Sequence, residues 1–136
     1  MLPKTYSYET TTKEIRVSVQ SVYLEDQSEP QKDHYVWAYI VNVLNEGEKT
    51  VQLLNRHWKI IDARGHVQDI KGPGVVGEQP IIGPGDCFEY TSGTPLNTPS
   101  GFMRGGYEME SEDGEIFLVN IPPFSLDSPH QKHTLN

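Results

Sequence analysis

The chain has 136 residues, the length of one domain, and its 11 Lys and Arg against 19 Asp and Glu give a net charge of −8. That balance opposes generic binding to nucleic acid or to an anionic membrane surface, both of which need a basic face. A body of this length has an expected radius of gyration of roughly 14 Å and hides about two thirds of the surface its unfolded chain exposes, enough for a core of its own.

Cys87 is the only cysteine, so no internal disulfide forms. It is expected as a small core residue, and a reducing compartment is the simplest setting. No apolar run at the start resembles a secretory h-region, and none is long enough to span a bilayer. A cytoplasmic protein is expected.

Residues 1–12 are polar and expected as a flexible N-terminal segment, with the folded domain over 13–126 and a disordered tail over 127–136. In Glu14–Leu24, Ile15, Val17 and Val19 alternate with polar residues, the period of a half-buried strand. Val22 and Leu24 fall on the opposite parity, which suggests a bulge or a register change near Ser21. A polar loop with Pro30 follows. His34–Asn45 is apolar on both parities and rich in β-branched and aromatic residues, as in a central strand buried on both faces or at a dimer contact. Asn45-Glu46-Gly47 reads as a hairpin turn with Gly47 at positive φ, returning along Lys49–Asp62. Ala63-Arg64-Gly65 turns the chain into a short edge strand, His66–Lys71.

Glycines and prolines then crowd Gly72–Gly85 beyond what regular structure tolerates. Asp86–Thr94 is a strand carrying Phe88 and Tyr90, and a Pro-containing loop runs to Gly101. Phe102–Ser111 and Glu115–Ile121 form a closing hairpin about Glu112-Asp113-Gly114, stopped by Pro122-Pro123. No segment carries a helical period. About seven to eight strands with turn signals every ~10 residues predict an all-β fold, an immunoglobulin- or fibronectin type III-like sandwich of two antiparallel sheets, with a closed barrel as the alternative.

Gly72-Pro73-Gly74-Val75-Val76-Gly77 matches the dinucleotide-binding string. That string works where a strand leads through a tight turn into a helix whose free N–H groups face a pyrophosphate. Here Pro80 and Pro84 leave no room for the helix. Two other readings stand: a loop crossing the end of the sandwich, and a nest of N–H groups for an anion, which Lys71 would favour and Glu78 oppose.

The stretch from Arg56-His57-Trp58, through Gly72, Gly74-Val75-Val76-Gly77 and Gln79-Pro80, to Pro84-Gly85, Phe88 and Tyr90-Thr91-Ser92-Gly93 resembles the ApaG family. The match continues through Leu96, Thr98-Pro99, Gly101, Met103, Gly105, Tyr107, Ile121-Pro122 and Phe124, so it covers roughly residues 13–126. The resemblance implies a fibronectin type III-like sandwich with no established catalysis and no demonstrated nucleotide function for the glycine motif. Stand-alone bacterial members are linked genetically to cobalt resistance and magnesium efflux. Eukaryotic relatives are domains of F-box proteins and of a polymerase-delta-interacting protein, where a protein-binding role is inferred. A homodimer is compatible with the resemblance.

Other constellations are weaker. Arg56 and Trp58 share one strand face, as a partner-binding pair or as a core Trp with Arg stacked at its rim. Glu108, Glu110 and Glu112 share a parity with Asp113 and Glu115 beside them, but side chains two apart on a strand are about 7 Å apart and do not converge on one cation. No helical His pair or Cys/His cluster occurs among the five histidines. Nothing around Cys87 resembles an activated thiol that His57 would serve, and Ser92 is in no nucleophile elbow. A non-enzymatic interaction domain without cofactor or metal is therefore expected, with an unidentified protein partner. Its candidate contact residues are Arg56, Trp58, Gly72, Gly74, Gly77, Glu78 and Gln79. A small-ligand binder for phosphate, nucleotide or a divalent cation is the alternative.

Overall fold

The computed structural model describes residues 6–130. Within them nine strands form two sheets, every pair antiparallel, and no α-helix occurs. One sheet runs β1 (Tyr8–Thr12), β2 (Ile15–Tyr23), β3 (Tyr35–Asn45), β7 (Cys87–Leu96). The other runs β5 (Val67–Pro73), β4 (Val51–Asp62), β8 (Gly101–Ser111), β9 (Ile116–Leu126), and the two-residue β6 (Ile81–Ile82) pairs with the start of β4.

The core fills the space between these layers because alternate residues of each strand face inward. Val17 and Val19, Trp37 and Val41, Leu53 and Trp58, Tyr107 and Met109, and Val119 and Phe124 are all buried there. Trp58 is the centre of an aromatic cluster, edge-on to Tyr39 at 5.4 Å and to Phe124 at 5.9 Å between ring centroids. Its place is made by Gly105, directly opposite on β8. A Cβ at Gly105 would lie 2.2 Å from the His57 carbonyl oxygen and 3.1 Å from the Trp58 ring.

Several local expectations change. β2 stays in register with β3 from Ile15 to Tyr23, so there is no bulge at Ser21. Tyr23 takes the inward position and packs on Trp37, while Val22 points out. β3 is central in its sheet but buried on one face only, its even-numbered residues being half-exposed. Asn45-Glu46-Gly47 is no hairpin, because β3 and β4 belong to different sheets. Buried Asn45 ties that crossing together: its amide donates to Lys49 O at 2.7 Å and Ile82 O at 3.0 Å, and accepts from Gly47 N–H at 2.9 Å. Gly47 is not at positive φ; a Cβ there would meet a Glu14 carboxylate oxygen at 2.6 Å. Pro122 and Pro123 do not end β9. They sit in a bulge opposite Arg104, where no ladder N–H is needed. Cys87 is exposed rather than in the core.

The two ends of the domain also differ from expectation. Residues 8–12 form β1, held by pairing to β2 and by the Tyr8 hydroxyl against Ser125 Oγ at 2.8 Å. Beyond β9, Asp127 O accepts from Trp37 Nε1 at 2.8 Å, and Ser128 Oγ donates to Pro99 O at 2.6 Å. The expectations for 1–5 and 131–136 lie outside the described residues.

The crowding at Gly105 has a measurable consequence. Gly105→Ala is expected to lower the unfolding free energy in urea by about 3 kcal/mol, through overpacking against a fixed carbonyl. Gly114→Ala, where a Cβ meets nothing within 4 Å but φ is +87°, is expected to cost only about 1 kcal/mol.

Candidate functional site

The glycine motif is built around an inserted residue in β4. Leu53 pairs with Met109 and Asn55 with Glu108, so Leu54 has no partner in β8. The bulge reverses the parity of the strand. Before it Val51 and Leu53 face the core; after it Trp58 and Ile60 do. Arg56 turns inward with them and His57 and Lys59 turn outward.

The unpaired Leu54 carbonyl needs donors. It accepts from the Gly74 N–H and from the Gln79 side-chain amide, both at 2.8 Å. Gly74 has φ +60°, and a Cβ on it would lie 2.0 Å from Glu78 O, so only glycine fits. Beyond it Val75 and Glu78 exchange both N–H···O bonds, at 2.8 and 2.9 Å. The two residues between them have positive φ, Val76 at 43° and Gly77 at 82°, which is a type I′ hairpin turn. Gln79 O accepts from Gln52 Nε2 at 3.2 Å, and Pro80 O accepts from Leu53 N–H at 3.0 Å.

Arg56 completes the brace. Its Nη1 donates to Pro73 O at 3.0 Å and Gly74 O at 2.9 Å. The guanidinium lies across Gly72, where a Cβ would come within 3.1 Å of both terminal nitrogens. Gly72 itself belongs to β5, paired with Arg56. Below this brace are Tyr39, Tyr90 and Tyr107, the last two with hydroxyls hydrogen-bonded to each other. Burial pushes all three phenols above the usual tyrosine range, and the Arg56 charge offsets only part of that. They are neutral at physiological pH.

The candidate residues therefore divide. Arg56, Trp58, Gly72, Gly74 and Gln79 meet around the bulge as supports of one another or of the core. Gly77 and Glu78 remain at the exposed tip of the loop with Val76, which is 54 % exposed. Cys87 and His57 lie on different sheets and form no pair. The carboxylates near the β8–β9 turn have separate partners. Glu108 accepts from Asn55 at 2.7 Å, Glu112 from Thr50 N–H at 3.0 Å and Asp113 from Lys49 at 2.6 Å. Among the described residues no three His, Cys, Asp or Glu side chains come together as a metal site.

A second feature was not anticipated from the sequence. The outer face of the five-stranded sheet holds an open groove of about 1180 Å³ running from Lys71 across His57 and Gly106 to Asn120. Lys59 and Arg104, paired across β4 and β8, form its next row. His57 Nε2 sits 2.9 Å from Asp69, whose carboxyl is held below the usual carboxylate range chiefly by that hydrogen bond. The groove depends on strand register, which brings together basic residues far apart in the chain.

The family profile described as the ApaG domain matches residues 25–111. A protein named ApaG from Paramagnetospirillum magneticum is 63% identical over 129 residues, covering 95% of this chain and 99% of its own. One from Parvibaculum lavamentivorans is 60% identical over the same coverage. Among solved structures, a putative ApaA protein from Bordetella pertussis superposes with a TM-score of 0.82 at 43% identity, covering 93% of this chain and all of its own.

The brace predicts its own energetics. Arg56→Ala removes two charge-assisted bonds to the loop, so a loss of about 1–2 kcal/mol is expected in chemical denaturation. Arg56→Lys is expected to recover only part of it, because a single ammonium does not reproduce the planar fork.

Proposed function

The chain belongs to the ApaG domain family, and from that premise we propose that it is a non-enzymatic β-sandwich module of the cytoplasm that binds a protein partner through the loop tip at Val76, Gly77 and Glu78. One observation carries the reading. Val76 is β-branched, yet it occupies a positive-φ turn position with its side chain in solvent. Such a conformation costs on the order of 1–3 kcal/mol, and Asn in its place would fit the turn without that cost. An apolar side chain held against its own backbone preference, on a hairpin braced from behind, is suited to contact rather than to folding. The next element adds Ile81, 70 % exposed at the same edge of the sheet. Loops presented by a rigid sheet in this way commonly carry binding.

The link of relatives to cobalt resistance and magnesium efflux then acts through the partner rather than through an ion held by this chain. The separate pairing of Glu108, Glu112 and Asp113 supports that division.

Val76→Asn separates contact from folding. It is expected to raise the unfolding free energy by about 1 kcal/mol and to reduce partner capture. Affinity capture from cell extract with both forms, followed by identification of the retained proteins, decides the matter. Identical protein lists from the wild type and the stabilised variant would remove the loop tip as the contact. Gly74→Ala is unsuitable for this test, since its Cβ would collide with Glu78 O and displace the whole loop.

A further inference from the structure

We propose that the groove on the outer face of the five-stranded sheet docks an extended acidic segment of a partner protein, with apolar residues flanking the acidic ones. The proposal rests on the reading that the domain binds proteins, and it assigns a surface separate from the loop tip.

Charge is the first argument. The chain has a net charge of −8, yet Lys59, Lys71 and Arg104 lie together on this one outer face, with Arg56 at the margin of the groove. Arg56 is occupied by loop carbonyls and Lys59 shares Asp69 at 3.5 Å. Lys71 and Arg104 form no ion pair among the described residues. Two cations without counter-charges on an acidic body favour an acidic occupant, and the planar Arg104 fork suits a carboxylate.

Spacing selects the kind of anion. Lys71 pairs with His57, and Lys59 with Arg104, so Lys71 and Arg104 are two strands and one pleat repeat apart. That places their Cβ atoms roughly 12 Å from each other. The pair is spread along the groove rather than converged on a point. Alternate side chains of an extended peptide, about 7 Å apart, can reach one cation each. His57 and Lys59 of β4 lie between the two cations, and Gly106, two residues from Arg104 on β8, has no side chain to obstruct an approaching backbone. Glu9 and Glu108 also line the groove, Glu9 3.8 Å from Arg16 and Glu108 accepting from Asn55 at 2.7 Å, so the acidic residues of the occupant belong at Lys71 and Arg104.

The apolar surroundings indicate a macromolecule. Of the large apolar side chains left exposed, Val67, Phe102, Ile116 and Leu118 all lie on this outer face, with Leu118 71 % and Val67 55 % exposed. They flank the basic centre toward opposite ends of the strands. Apolar shoulders around a charged centre are what a protein partner covers.

The probe is a fluorescein-labelled synthetic peptide of about eight residues with Glu and Leu alternating, long enough to cross the sheet. Anisotropy gives affinity, and backbone amide spectra of the full chain give the location. Binding is expected to shift Gly106 and Asn120, to weaken with added salt, and to fall at least about tenfold in Arg104→Glu/Lys71→Glu. The milder Arg104→Gln/Lys71→Gln is expected to lie between the two, and Val76→Asn to bind as wild type. A peptide with Lys in place of Glu is expected not to bind. Absence of shifts at Gly106 and Asn120, or undiminished affinity in a folded double variant, would overturn the proposal. The same shifts produced by inorganic pyrophosphate would overturn it in favour of a small-anion site. Loss of partner capture by Val76→Asn with no peptide binding would leave the module reading standing and remove the groove alone.

Discussion

The carbonyl of Leu54 is stranded by the residue inserted into β4, and most of what distinguishes this sandwich follows from meeting its need for a donor. The insertion reverses strand parity, which is how Trp58 reaches the aromatic cluster after Leu53 has already faced the same core. A backbone carbonyl cut off from a strand partner takes its donors from elsewhere in the chain. The chain answers by folding the segment after β5 back over the bulge, so that Gly74 and Gln79 donate to Leu54. The three glycines have three separate causes: the guanidinium lying across Gly72, the Glu78 carbonyl pressed on Gly74, and the second turn position at Gly77. Their spacing is that of a hairpin built on a bulge, and its likeness to a phosphate-binding string is coincidental.

Much of this architecture was legible from alternation. The strand pattern of β2 and the β8–β9 hairpin can be read from residues of one parity, and the prolines after Gly77 were enough to exclude a helix. The bulge was also written in the sequence, as Val51 and Leu53 on one parity followed by Trp58 and Ile60 on the other, but a strand read as continuous hides it. Arg56 and Trp58 were correctly placed on one face; which face depends on Leu54. Where parity did mislead, at Ser21, the cause was Tyr23, an aromatic ring that outcompetes Val22 for the inward position against Trp37. The role of Asn45 was hidden for another reason. A turn that passes between sheets has the same composition as a hairpin, and only the buried amide bonds to Lys49 and Ile82 distinguish them.

The basic groove was not legible at all. Lys59, Lys71 and Arg104 are separated along an acidic chain, and nothing in the order of residues shows that they meet. Their meeting is a product of β5–β4–β8 register, so it exists only once pairing is known. The same bulge that turns Arg56 toward the loop sends His57 and Lys59 to the outside. A single inserted residue thus sorts the cations of β4 into one that supports the loop and others that face solvent.

That sorting bears on whether the glycine loop itself could receive a phosphate. A nest needs successive N–H groups pointing at one site. Here the N–H of Gly74 goes to Leu54, that of Val75 to Glu78 and that of Glu78 back to Val75. Arg56, whose guanidinium lies against the loop, faces carbonyls of the same loop. An anion seated there would have to break the brace that lets Leu54 remain in the strand, exchanging several short bonds for contacts that the turn geometry does not offer. Recognition of negative charge by this fold therefore belongs on the sheet face, where Lys71 and Arg104 can be engaged without unfolding anything.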